Sequence, residues 1–126
     1  MFDHVKFGVS DYAASRSFFV RALEPLGVTD VREWPPNGVE LSQPKGTVSL
    51  CLYETKEKPA HLHLAFAAGS RQQVQAFYRA ALEAGGKDNF PPIHIPLGFA
   101  FLMKNPKVNW CYETEPEPNM HHRRIA

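Results

Sequence analysis

The sequence predicts an α+β fold of two paired βαβββ modules. Two observations carry that prediction. First, the chain reads strand, helix and three strands, breaks at a charged segment, and then repeats the order. Second, sliding the chain on itself by 59 residues superposes His4 on His63, Phe7 on Phe66, Phe18 on Phe77, Ala22-Leu23-Glu24 on Ala81-Leu82-Glu83 and Gly27 on Gly86. The same offset puts Tyr53-Glu54-Thr55 on Tyr112-Glu113-Thr114. Matches spread over the first strand, the helix and the last strand at one offset are the mark of an internal repeat.

Module one takes residues 2–55. Phe2 to Val9 alternate loosely and are rich in Phe and Val, as a strand would be. Ser10 or Asp11 can cap the helix that follows, because a short side-chain oxygen can accept from a free N–H of the first turn. That helix places Phe18, Ala22, Leu23 and Leu26 on one stripe, and Pro25 with Gly27 ends it. VTDVREW, VELSQ and TVSLCLYE follow as three strands of a meander, separated by Pro-Pro-Asn-Gly and a second glycine turn. Residues 56–60 form a linker. Module two takes residues 61–114. HLHLAFAA is a strand, and Ser70 with Gln73 forms a capping box for a helix burying Val74, Phe77, Ala81 and Leu82. Gly85-Gly86 closes it, FPPIHIP holds a short edge strand, and GFAFLM and VNWCYE are the last two strands. The tail, 115–126, is too polar and proline-rich to predict as ordered.

At 126 residues one compact domain is expected. A net charge of +1 leaves no footprint for nucleic acid or an anionic membrane surface, and no apolar run reaches the ~20 residues of a membrane span. The N-terminus lacks the basic and apolar regions of a signal peptide. The two cysteines, Cys51 and Cys111, lie in apolar stretches and read as reduced core thiols. A soluble, cytoplasmic protein is the expectation.

The repeat singles out four residues. His4 and His63 hold the same place in the two first strands, and Glu54 and Glu113 the same place at the ends of the last strands. Two imidazoles and two carboxylates arranged symmetrically suit a divalent metal such as Ni, Zn, Co or Fe. The plainer reading of each histidine alone is a core side chain bonded to backbone, and of each glutamate a solvated strand end. His61 superposes on Phe2 and reads as peripheral; His121-His122-Arg123-Arg124 read as a solvated tail. His94, Phe101 and Trp110 are candidates for a substrate pocket, and Trp34, Tyr53, Phe99 and Tyr112 add further aromatics.

DHVKFGVSDYAASRSFFVRALEPLGV and HLAFAAGSRQQVQAFYRAALEAGGKDN resemble the glyoxalase/bleomycin-resistance/extradiol-dioxygenase superfamily, the vicinal oxygen chelate proteins. The resemblance covers residues 2 to about 89. It implies modules curled into an open, mixed β-sheet barrel with helices outside, and a homodimer in which modules of two chains enclose a site. In the metal-dependent glyoxalase branch the ligands are a His of each first strand and a Glu of each fourth strand, which implies His4, Glu54, His63 and Glu113 here. The implied activity is that of a lyase or isomerase acting on a small α-oxygenated carbonyl compound, with Glu113 or Glu54 moving the proton. The alternatives in the same superfamily are a metal-free small-molecule binding protein and an extradiol dioxygenase. The chain departs from the usual Asp-Pro-x-Gly turn, reading Asn105-Pro106-Lys107-Val108. If that turn sets the register, the last ligand position falls on Cys111; the 59-residue offset puts it on Glu113.

Overall fold

The computed structural model describes residues 2–57, 63–88, 93–95, 98–105 and 108–112. The linker from residue 58, His61, Glu113 and the tail lie outside them.

Module one opens with β1 (His4–Val9), α1 (Tyr12–Leu23) and a 3-10 turn (Glu24–Leu26). Asp11 is the cap: its side chain accepts from the Ala14 N–H at 3.0 Å. The helix stops where Pro25 cannot continue it, and Gly27, at φ 78°, takes the left-handed turn that costs a side chain steric strain. Three strands follow: β2 (Asp30–Trp34), β3 (Gly38–Ser42) and β4 (Ser49–Glu54). A cis Pro35–Pro36 bond lies in the turn between β2 and β3. The sheet order is β1-β4-β3-β2, with β1 parallel to β4 and the other pairs antiparallel.

Module two repeats the plan with one further short strand. β5 (His63–Leu64) and α2 (Arg71–Glu83) are followed by β6 (Lys87–Asp88), β7 (Ile93–Ile95), β8 (Gly98–Asn105) and β9 (Val108–Tyr112). β5 is parallel to β9, the order is β5-β9-β8-β6, and β7 pairs with β8. Ser70 caps α2 by accepting from Gln73 N–H at 3.2 Å; the Gln73 side chain reaches back to the Gly69 N–H at 2.7 Å, one residue beyond the expected box. The first strands are shorter than their composition predicts. Phe2 is exposed, and residues 65–68 leave the ladder after Leu64.

One apolar cluster joins the helices to the first sheet. Phe18, Phe19, Ala22 and Leu23 of α1, Leu26, and Val74, Phe77 and Ala81 of α2 meet Val39, Leu41, Leu50 and Leu52 of the sheet. Phe19 contacts Phe7 and Phe18 edge-on, with centroids 6.0 and 5.2 Å away. Each large side chain buried here contributes about 1.5–3 kcal/mol. Leu82, expected inside, is 37% exposed, because the inward stripe of α2 runs through positions 74, 77 and 81. The architecture is the expected α+β one: open, mixed sheets with helices packed on one face. Among the described residues no helix is long and apolar enough to cross a membrane.

Candidate functional site

Strand pairing sorts the first sheet into two faces, since paired residues share a side and neighbours along a strand alternate. The helix face carries Val5, Phe7 and Val9, then Leu50 and Leu52, then Val39 and Leu41. The other face is polar and aromatic. Its first row reads His4, Ser49, Ser42, Asp30; its second Lys6, Cys51, Glu40, Arg32; its third Gly8, Tyr53, Gly38, Trp34.

The third row is built around its glycines. A Cβ on Gly38 would overlap the Trp34 ring, so the indole lies directly on that residue. The Gly38 carbonyl accepts from Tyr12 Oη of α1 at 3.0 Å, which ties β3 to the helix. On Gly8 a Cβ would come 3.3 Å from Tyr53 Cζ and overlap Thr55 Cγ2. The Lys6 ammonium reaches toward this row, 5.5 Å from the Trp34 ring centroid and 5.2 Å from that of Tyr53. Both distances fall within cation–π range. At the other end, Asp3, Asp30, Arg32, Glu40, Ser42 and Ser49 border a polar cleft of about 180 Å³. Glu40 is half-buried and, among the described residues, its carboxylate has no hydrogen bond or ion pair. Cys51 is buried, its thiol 3.8 Å from Ser49 Oγ.

The structure separates two of the four candidate ligands. His4 begins β1 opposite Ser49, while Glu54 ends β4 opposite Val9. That span is about 17 Å at about 3.3 Å per residue. The two also alternate to different faces: Glu54 continues the register of Leu50 and Leu52, not that of His4. An imidazole and a carboxylate that far apart in one chain cannot reach a common ion at metal–ligand distances of about 2.0–2.2 Å. Each has another contact instead. His4 Nδ1 is 2.9 Å from Asp3 Oδ1, and Glu54 accepts from Asn37 Nδ2 at 2.5 Å. Among the described residues no three His, Cys, Asp or Glu side chains gather as a metal site would require. The described donor set therefore does not fit the implied metal.

Module two can be compared at the level of register. His63 begins β5, as His4 begins β1, and both strands run parallel to the last strand of their module. His63 pairs with Asn109, however, where the offset would predict residue 108, the equivalent of Ser49. The last strand is thus slipped by one residue relative to the gapless repeat. Two residues beyond each histidine, Lys6 is opposite Cys51, and position 65, had the ladder continued, would be opposite Cys111. The slip makes the two cysteines register equivalents and removes the equivalence of Glu54 and Glu113; Glu113 itself lies outside the described residues. His94 pairs with Phe99, Phe101 with Tyr112, and Trp110 with both Leu64 and Met103. This common register is Leu64's, and Leu64 packs against the core. The candidates His94, Phe101 and Trp110 thus share one strand register, alternate to that of His63.

Sequence reasoning named Trp34 and Tyr53 among the aromatics but missed Lys6 and Glu40. The signal was available. Once Val39 and Leu41 are assigned inward, period-two alternation turns Glu40 outward, and the same rule puts Lys6 on the face of His4.

Comparison with known proteins agrees with this architecture. A glyoxalase/bleomycin-resistance protein from Albidiferax ferrireducens superposes with a TM-score of 0.79 at 24% identity, over 92% of this chain and 99% of that one. The oxidase ChaP-H2 gives 0.70 at 20% identity, over 94% and 95%. TnmS3, an antibiotic binding protein from Streptomyces, gives 0.66 at 19% identity, over 93% and 96%. Among curated proteins, an alcohol dehydrogenase (acceptor) from Pseudomonas putida is 43% identical over 44 residues. An oxygen-dependent choline dehydrogenase from Rhizobium etli is 48% identical over 45. Those stretches are 35% and 36% of this chain, which spans only 8% of the length of either oxidoreductase. The model of the family described as "Glyoxalase/Bleomycin resistance protein/Dioxygenase superfamily" matches residues 1–120, and the chain belongs to that superfamily.

Proposed function

We propose that this chain is a small-molecule binding protein of its superfamily, with its ligand on the polar and aromatic face of the module-one sheet. The observation that carries the reading is the third row, where Trp34 and Tyr53 stand over Gly38 and Gly8 on the face away from the core. Aromatic walls with a few polar groups beside them are the usual makings of a small-molecule site. Glu40 and the polar cleft supply those groups. Similarity to an antibiotic binding protein of the same fold is consistent with this use of the face. A homodimer, in which a second copy covers the face, fits the same reading. A thermal-shift panel of aromatic and heteroaromatic compounds tests it. Stabilisation of the parent chain that disappears in Trp34→Ala supports the reading; equal stabilisation of both opposes it.

A second reading, a metal-dependent lyase or isomerase, draws on the equivalent places of His4 and His63 at the starts of β1 and β5. His4 and His63 would be its imidazole ligands. Isothermal titration with Ni²⁺, Zn²⁺ and Co²⁺ distinguishes it: uptake of one ion per site that is lost in both His4→Ala and His63→Ala favours this reading, and no uptake removes it.

A further inference from the structure

We propose that Trp34 and Tyr53 form a cation site that Lys6 fills from within the chain, and that an organic ammonium ligand fills in its place. The proposal rests on the reading that this face is the ligand face. Its evidence is the position of the Lys6 ammonium, which lies 5.5 Å from one ring centroid and 5.2 Å from the other. Two rings that hold one ammonium offer the negative faces that any ammonium or quaternary ammonium group requires. Lys6 is exposed on a flexible stem and, among the described residues, forms no ion pair, so nothing else fixes its head there.

The adjoining row supplies the second element. Glu40 is half-buried on the same strand and face as Gly38, and its carboxylate carries no hydrogen bond or ion pair among the described residues. Arg32 is its cross-strand neighbour but is exposed and makes no ion pair with it. A carboxylate in the row next to that of Trp34 and Tyr53 favours a cation over an anion. The glycines define the floor. Any side chain at Gly38 would lift the indole, so the backbone is bare where the ring must lie. Lys6 is then a built-in competitor for its own site, and removing its charge should strengthen binding of a cation, the opposite of what deletion of a ligand-binding residue does.

The test is calorimetric titration of the full chain with benzyltrimethylammonium and, as its anionic counterpart, benzoate. The parent, Lys6→Met, Lys6→Gln and Lys6→Met/Trp34→Ala are compared, with chemical-shift mapping of each complex. Both Lys6 variants should bind benzyltrimethylammonium about two- to fivefold more tightly than the parent, the change that one exposed cation–π contact represents. The double variant should lose the gain, and benzoate should gain in neither. Two variants of different polarity guard against one that folds poorly. Unchanged or weaker ammonium binding in both, with shifts still at Trp34 and Tyr53, overturns the proposal and leaves the ligand-face reading standing. Absence of shifts on this face for both probes in all variants overturns the two together.

Discussion

Gly38→Ala is the smallest change that should dismantle the aromatic row. The added methyl would overlap Trp34 Cε2, Nε1 and Cδ2, none of which is the free end of a flexible chain, so the indole has to leave. Gly38 lies in a strand and is not among the positive-φ glycines, so alanine suits the backbone and the cost is the ring's alone. Trp34 is half-buried. A tryptophan buries about 150–250 Å² when packed, so displacing this one returns about 100 Å² to water. That is about 2.5 kcal/mol at about 25 cal/mol/Å². Loss of the Lys6 contact adds about 0.5–1 kcal/mol, and the smaller conformational entropy of unfolded alanine offsets a similar amount. The net expectation is a destabilisation of about 2–3 kcal/mol with the fold retained. Urea unfolding measures it, and the ¹⁵N-indole resonance of Trp34, assigned with Trp34→Phe, reports the ring. A variant as stable as the parent, with that resonance unmoved, would refute the placement of the ring on Gly38.

The other expectations follow from the same coordinates. Leu52→Ala, at a fully buried position between the sheet and the helices, should cost about 2–5 kcal/mol in urea unfolding; a cost under about 1 would mean the cluster is not packed there. Asp11→Ala and Ser70→Ala each remove one helix cap and should each cost about 1 kcal/mol, read as parallel losses in thermal midpoint. Arg16→Ala breaks the exposed pair with Glu33 and should change stability by no more than about 1 kcal/mol, less in high salt. Glu54→Gln should leave any uptake of added Ni²⁺, Zn²⁺ or Co²⁺ unchanged in titration, whereas loss of uptake would place Glu54 at the ion despite its register opposite Val9.

The repeat was legible in the sequence because both modules spend their apolar residues alike. Phe18, Ala22 and Leu23 of α1 and Phe77 and Ala81 of α2 lie at matched spacing, and the helix caps use residue types whose chemistry is local. The candidate site was less legible because it depends on register. A gapless offset aligned Glu54 with Glu113, but the pairing of β5 with β9 is shifted by one residue from that of β1 with β4, and a slip of one exchanges the faces of a strand. Distance along a ladder was hidden for the same reason: His4 and Glu54 belong to adjacent strands yet sit at opposite ends of them. Lys6 and Glu40 went unnoticed because a charged residue in a strand reads as solvated surface until the inward face is known.

Amide and indole chemical shifts, recorded while the full chain is titrated with the compound that stabilises it most, show which face of the first sheet the ligand occupies. Perturbations are expected on alternate residues of the first sheet, at Lys6, Trp34, Gly38, Glu40 and Tyr53, with Val39, Leu41, Leu50 and Leu52 little moved. Perturbations centred on that second set, or confined to module two, would contradict the ligand-face reading.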